Sequence, residues 1–280
     1  LVSIRIVTDS SCDLPDELVQ QWGIEIVPLT IRFGDDEYLD RIELPTDEFW
    51  RKCAATDVLP TTAAPSTGQF AEVYTRLRDE GADGIVVVTL SSEISATYQS
   101  AELAAREHTG GAIRTLDSRT TTLGLGMIAL AAARRAQQGG DIDTTAALVD
   151  DVSTRTRVFG AIDTLDNLKK SGRVSNAKAM FATALSIKPL IEVRDGLVQQ
   201  AGRQRTRSKS LAHVVNRLEE FKGRIDNLAV LHADCDDIDE FVAMVEPYAE
   251  GELVIGTIGP VVGSHAGKGT IGVAFQERTA

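Results

Sequence analysis

The stretch Ile85-Val86-Val87-Val88-Thr89-Leu90-Ser91-Ser92-Glu93-Ile94-Ser95-Ala96-Thr97 decides the fold. Its first half is β-branched over most of its length, the composition of a strand buried on both faces of a parallel sheet. Its second half turns to hydroxyls and then enters a helix. Parallel strands need crossover connections, so one such strand-loop-helix unit predicts others. Ile4-Arg5-Ile6-Val7 is a second short strand, ending at Thr8-Asp9-Ser10-Ser11, and a helix follows from about Pro15 with Asp13 as its expected cap and Gly23 as its stop. Ile24 to Phe33 alternates and reads as one strand, and Thr46 is the expected cap of a short helix with Asp47 and Glu48 in its first turn. Pro60 to Ser66 reads as a loop. Ser66 and Gln69 then have capping-box spacing ahead of the helical stripe Phe70, Val73, Tyr74, Leu77. A further strand ends at Leu116-Asp117-Ser118, and an alanine-rich helix closes at Gly139-Gly140.

The second half departs from this rhythm. Val158 to Ile162 reads as a strand, Leu165 to Ser171 as a short helix, and Leu190 to Val198 as a hairpin turning at Asp195-Gly196. A helix from about Ser210, a strand at Leu228 to Leu231, another helix, and strands at Leu253 to Thr257 and Thr270 to Phe275 complete the chain. The expected architecture is α/β in two lobes. Residues 1–157 form a mainly parallel sheet with helices on both faces, and residues 158–280 form a mixed α/β lobe.

With 280 residues, 43% hydrophobic and 25% charged, the chain has the balance of a soluble globular protein, and its apolar runs are strand-length rather than membrane-spanning. The net charge of -12 would repel a polyanion and argues against nucleic acid as partner. Cys12, Cys53 and Cys235 are odd in number and share no C-x-x-C pair, which argues against a disulfide framework or zinc site and fits a reducing cytosol. A cytoplasmic protein without a transmembrane segment is expected.

Ligands of open α/β sheets usually bind beyond the carboxyl ends of the strands. Four segments expected there are rich in hydroxyls: Thr8-Asp9-Ser10-Ser11, Thr61-Thr62, Ser91-Ser92 with Ser95 and Thr97, and Asp117-Ser118. Each is also an ordinary helix cap or turn, but together their O–H and free N–H groups suit a small anion. Near the C-terminus, Gly259, Gly263, Gly267 and Gly269 surround His265 and imply tight backbone geometry about an imidazole. Lys268 suggests a phosphate loop, but Gly269 stands where Ser or Thr is required, and Gly124-Leu125-Gly126 lacks the third glycine of a dinucleotide motif. No nucleophile elbow occurs, and His108, His213 and His232 have no ligand spacing. The residues predict an anion pocket with no catalytic residue, metal or cofactor.

Five motifs in order carry a family resemblance. They are Val7-Thr8-Asp9-Ser10-Ser11, the loop Pro60 to Ser66, Leu90 to Ala101, Leu165 to Val174, and Gly259 to Gly269. On them the chain resembles the DegV family, the fatty-acid-binding subunits of a bacterial fatty acid kinase. The resemblance implies two lobes enclosing one long-chain fatty acid, such as hexadecanoate, in an apolar tunnel. It implies that Thr62 and Ser95 bind the carboxylate with His265 beside them. It further implies a carrier rather than an enzyme, presenting the carboxylate to a separate ATP-dependent kinase catalytic subunit that makes acyl-phosphate for phospholipid synthesis. Lys169, Lys170, Arg173, Arg203, Arg205, Arg207 and Lys209 form a basic cluster. It is either a solvated face or a kinase-docking face, and Arg173 and Arg205 fall on arginines of the family's motifs. Ala63, Ala64 and Ala96 depart from that pattern, which has Ser, Gln and Gly there. Phe33, Phe70, Met180, Phe181 and Ile187 are candidate tunnel residues or plain core. The rival readings are a stand-alone enzyme acting on a small phosphorylated metabolite and a lipid-sensing interaction protein without a kinase.

Overall fold

A computed structural model describes residues 3–164, 166–173 and 187–278, the side chains of 166, 169 and 170 excepted. Strands β1 (Ile4–Asp9), β2 (Glu25–Val27), β6 (Gly84–Thr89) and β7 (Ala112–Asp117) form an all-parallel sheet in the order β2-β1-β6-β7. Every residue of β6 is buried, as its β-branched run requires. Alternate residues of its strands enter two different cores. Val7, Val27, Ile85 and Val87 pack with Phe70, Tyr74 and Leu77 of α3 (Thr67–Asp79) and with Ala101 and Ala104 of α4 (Thr97–Glu107). Ile6, Val86 and Val88 face the opposite way, toward α5 (Thr122–Gln137) and α6 (Ile142–Arg155). Helices therefore cover both faces, and the Ser66–Gln69 capping box opens α3 as its spacing predicts.

Three details correct the sequence reading. Ile24 to Phe33 is two strands, because Pro28 cannot donate to a ladder and the chain leaves the parallel sheet after Val27. The second piece, β3 (Thr30–Phe33), joins β4 (Asp36–Leu39) and β5 (Thr61–Ala63) in an antiparallel sheet of order β4-β3-β5. The segment read as loop around Thr62 is thus partly strand, with Thr62 opposite Ile31. Neither expected cap serves the helix beside it. α1 (Asp16–Trp22) starts after Pro15, and α2 (Thr46–Ala55) has Pro45 at its cap position and Thr46 inside the helix.

Strands β8 (Thr156–Ala161), β9 (Lys188–Arg194), β10 (Leu197–Gln204), β11 (Ile225–His232), β12 (Val254–Thr257) and β13 (Ile271–Glu277) form the sheet of the second lobe. Its order is β10-β9-β8-β13-β11-β12, antiparallel except for β11 with β12. β9 and β10 form the expected hairpin at Asp195-Gly196. The short α7 (Asp166–Ser171) follows β8. α8 (Arg207–Glu219) and α9 (Ile238–Val245) cover one face of the sheet, burying Leu211, Val214, Leu218, Phe241 and Val245 against Phe159, Ile271 and Phe275. α10 (Pro260–Ala266) follows β12 and carries His265, so the glycine-framed segment is helix at its centre.

The other face of this sheet meets α5, whose Leu123, Leu125, Met127 and Ile128 share one core with Ala229, Leu231 and Ala274. Buried between both lobes, α5 is apolar on nearly every side. Its Gly124-Leu125-Gly126 serves this packing. A Cβ on Gly126 would lie 2.5 Å from the Cys12 carbonyl oxygen, and one on Gly124 2.6 Å from a Val158 methyl.

Two alanine substitutions test this packing by urea unfolding. Gly126→Ala should cost roughly 2 kcal/mol, because backbone must move to admit the methyl. Gly68→Ala, in α3, meets nothing closer than the Ser66 hydroxyl at 3.7 Å and should be neutral or stabilising by about 0.5 kcal/mol.

Candidate functional site

Between the lobes lies a cavity of about 210 Å³. Leu29, Leu90 and Ile94 wall it from the first lobe and Val193, Leu231 and Ile258 from the second. Thr62, Ser95, Arg173 and His265 supply polar groups to its lining.

Each of these groups is placed by a different local device. Thr62 sits on β5, its strand pairing fixed by β3. His265 is in the last turn of α10, whose Pro260 occupies the first turn, where a missing N–H costs nothing. A Cβ on Gly263 would lie 2.9 Å from the rings of Phe49 and Trp50, so this glycine lets α10 lie close against α2. The Thr62 Oγ1 is 2.9 Å from the His265 Nε2. Ser95 ends a tight loop in which its N–H donates to the Ser91 carbonyl at 3.2 Å. Ser91 Oγ in turn donates to the Gly196 carbonyl at 2.7 Å, so the hairpin turn of the second lobe braces the Ser95 loop of the first. The Ser95 Oγ lies 2.8 Å from Thr97 Oγ1 and accepts the Thr97 N–H at 3.3 Å. The Thr62 and Ser95 hydroxyls therefore each have a second polar group behind them.

Burial pushes the His265 imidazole down to about 4 from its ordinary value near 6.5, and the positive charge of Arg173 lowers it further. The ring is neutral at pH 7, so Arg173 is the formal positive charge among the described residues lining the cavity. The Nδ1 of His265 is buried and has no hydrogen-bond partner among the described residues.

Thr62, Ser95, His265 and Arg173 thus meet at one cavity, whereas Arg205 is exposed between β10 and α8 and does not line it. The rest of the basic cluster is divided. Arg207 bonds Asp163, Asp237 and the Gly269 carbonyl, bracing the glycine turn. The side chains of Lys169 and Lys170 lie outside the described residues. Among the tunnel candidates, Phe70 is core beneath α3 and Phe33 packs on Phe49. Ile187 does not line the cavity, and Met180 and Phe181 lie outside the described residues.

Two hydroxyl loops turn out to join loops to one another. Asp9 accepts from the Ser11 N–H and hydroxyl and from the Leu90 N–H at 2.8 Å, and Asp117 accepts from the Ser92 hydroxyl at 2.6 Å. Ala96 has φ −79 and ψ 3, which an alanine adopts without strain. Thr121, Thr122 and Thr270 also line the cavity. The run Thr120-Thr121-Thr122 at the start of α5 was a fifth hydroxyl-rich signal of the same kind. Among the described residues no group of three His, Cys, Asp or Glu is placed to hold a metal ion, and no helix is long and apolar enough to cross a membrane.

Residues 3–278 match the family model described as "Uncharacterised protein, DegV family". A DegV domain-containing protein of Mycobacterium tuberculosis is 38% identical over 281 residues, covering 98% of both chains. Among solved structures, a fatty-acid-binding DegV family protein from Thermus thermophilus is 31% identical with a TM-score of 0.90, covering 99% of this chain and 100% of that one. DegV from Bacillus subtilis, described as a fatty acid binding protein, is 26% identical with a TM-score of 0.87 over 99% of this chain and 100% of its own.

The depressed His265 pKa carries a stability consequence. Unfolding lets the ring take up a proton, so its contribution is present above pH 6.5 and is lost as pH falls toward 4. Asp9 and Asp13, pushed up by burial to about 6 and about 7, act oppositely, losing their contribution as pH rises through those values. His265→Gln, compared with the parent by urea unfolding, should therefore lose less stability between pH 6.5 and 4, leaving the carboxylate contribution unchanged. Parallel pH profiles would contradict the buried neutral ring.

Proposed function

The chain belongs to the DegV family, and on that premise we propose that it binds one long-chain fatty acid, with the tail in the cavity and the carboxylate held by Thr62 and Ser95. The observation that carries the reading is the Thr62–His265 contact on the wall of a largely aliphatic cavity. Burying a hexadecanoyl chain is worth about 0.8 kcal/mol per CH₂, or roughly 10 kcal/mol before ordering losses. The ionised head cannot follow the tail without donors. A neutral His265 with its proton on Nε2 donates to Thr62 Oγ1, which leaves the Thr62 proton free for a carboxylate oxygen. Thr97 can stand in the same relation to Ser95. His265 then acts through Thr62 rather than as a third direct grip, and Arg173 supplies positive charge. The solved relatives that bind fatty acid support this assignment. A phosphorylated metabolite is disfavoured, since aliphatic side chains would then surround a dianion.

The carboxylate so placed is available to a separate ATP-dependent kinase catalytic subunit, which would form the acyl-phosphate. Arg173, beside the site, and exposed Arg205 are the proposed docking contacts. In this reading the protein is a carrier rather than an enzyme, and its free thiols suit the cytoplasm.

Delipidated protein titrated with hexadecanoate tests the site. Each lost hydrogen bond to a charged group costs about 1.5–3 kcal/mol, so Thr62→Ala with Ser95→Ala should weaken binding more than about a hundredfold at an unchanged melting temperature. Unchanged affinity in the double variant would refute the assigned carboxylate grip. For docking, Arg205→Glu should abolish acyl-phosphate formation with the kinase while sparing lipid binding, and loss of both or of neither removes Arg205 from that role.

A further inference from the structure

We infer that Asp13 is a positioning residue of the carboxylate site, its carboxyl group fixing the first turn of α10 and thereby holding His265 against Thr62. The consequence for lipid binding rests on the proposed function, while the geometric claim stands apart from it.

Asp13 is 5% exposed, with φ +50, at the end of the short turn Ser10–Cys12. Its Oδ1 accepts the Gly259 N–H at 2.9 Å, and its Oδ2 accepts the Thr122 hydroxyl at 2.6 Å. Gly259 is the residue that opens α10, and it has no side chain with which to cap the helix. The exposed N–H groups of a helix start need acceptors, and here the acceptor comes from 246 residues away. Thr122 begins α5 in a left-handed conformation, φ +50, and also lines the cavity. A Cβ on Gly256 would lie 2.7 Å from the Asp13 carbonyl oxygen, so β12 passes directly against the same residue. One side chain thus joins the starts of two elements that wall the cavity.

α10 has seven residues, too few for a helix stable without outside contacts. Gly263 against α2 and the Thr270 hydroxyl on the Ala266 carbonyl at 3.0 Å steady its middle and end, while Asp13 ties down its start. Loosening that start lets the helix turn or shift, and the 2.9 Å Thr62–His265 contact tolerates only a few tenths of an ångström before it is lost. The Ser10–Cys12 turn reaches the other half of the site as well. At its opposite end Asp9 accepts the Leu90 N–H, where the Ser95 loop begins. The charged neighbours of Asp13 are Asp40 and Arg41, and of His265, Arg173.

The experiment compares Asp13→Ala with Asp13→Asn. The amide oxygen of Asn can accept from Gly259 and its amino group can donate to Thr122, so Asn restores both links. The readouts are the NMR titration of the His265 imidazole, assigned with His265→Gln, and hexadecanoate affinity. Asp13→Ala should raise the His265 midpoint by roughly one unit toward that of a free histidine and weaken hexadecanoate binding at least about tenfold. Asp13→Asn should return the midpoint to the parent's and the affinity to within about threefold of it. A folded Asp13→Ala protein with an unmoved midpoint overturns the inference, as does an Asn variant displaced as far as the Ala variant. Should Asp13→Ala fail to fold, Thr122→Val removes one of the two links. It must then shift the midpoint in the same direction by less, and no shift overturns the inference. Failure of the parent to bind hexadecanoate would refute the proposed function alone, since the His265 midpoints still decide the role of Asp13.

Discussion

A charged head on an apolar tail cannot be enclosed unless donors wait where the hydrocarbon lining ends. Under the proposed function, most of what distinguishes this protein from a generic pair of α/β lobes serves that requirement. The cavity takes aliphatic walls from both lobes, and the two hydroxyls proposed to grip the head come from one short strand and one tight loop. Neither hydroxyl stands alone, since Thr62 touches His265 and Ser95 touches Thr97. Placing the fixed charge on Arg173 and keeping the imidazole neutral avoids burying an isolated cation beside apolar side chains.

α5 makes the enclosure possible. Packed against both sheets, it is the element through which the two halves share one core, and its glycines set how closely the N-terminal turn approaches. Such a helix cannot tilt without disturbing the parallel sheet, the six-stranded mixed sheet and the cavity together. This explains why a helix carrying two glycines in its first half persists at the centre of the molecule. Its stability comes from burial on every side rather than from its own turns.

Much of this was legible in the sequence, for identifiable reasons. The β-branched run Ile85 to Val88, the Ser66–Gln69 box and the Asp195-Gly196 turn are local signals, and each produced the expected element. Thr62, Ser95 and His265 stood out through hydroxyl-rich loops and glycine framing, and the family resemblance gave them roles. Pro28 and Pro45 are local causes of misreading, while others came from contacts remote in sequence. Nothing near Thr61–Ala63 indicates pairing with Thr30–Arg32, so a strand was read as a loop. Asp13 has the composition of a cap for the helix that follows it, yet it caps one at the far end of the chain. Phe33 and Phe70 are large and apolar, as tunnel residues must be, but composition cannot distinguish a cavity wall from solid core.

The distances along the chain between these partners govern when the site can exist. Thr62 meets His265 across 203 residues, and Asp13 meets Gly259 across 246. β13, almost the last segment, inserts between β8 and β11 and completes the second sheet. Contacts of such high sequence separation close late in folding. During synthesis all strands of the parallel sheet are present before the C-terminal third has been made, whereas neither polar junction can form until then. Under the proposed function, competence to bind lipid therefore waits for the C-terminal segments, so an unfinished chain has no formed pocket in which to trap a fatty acid.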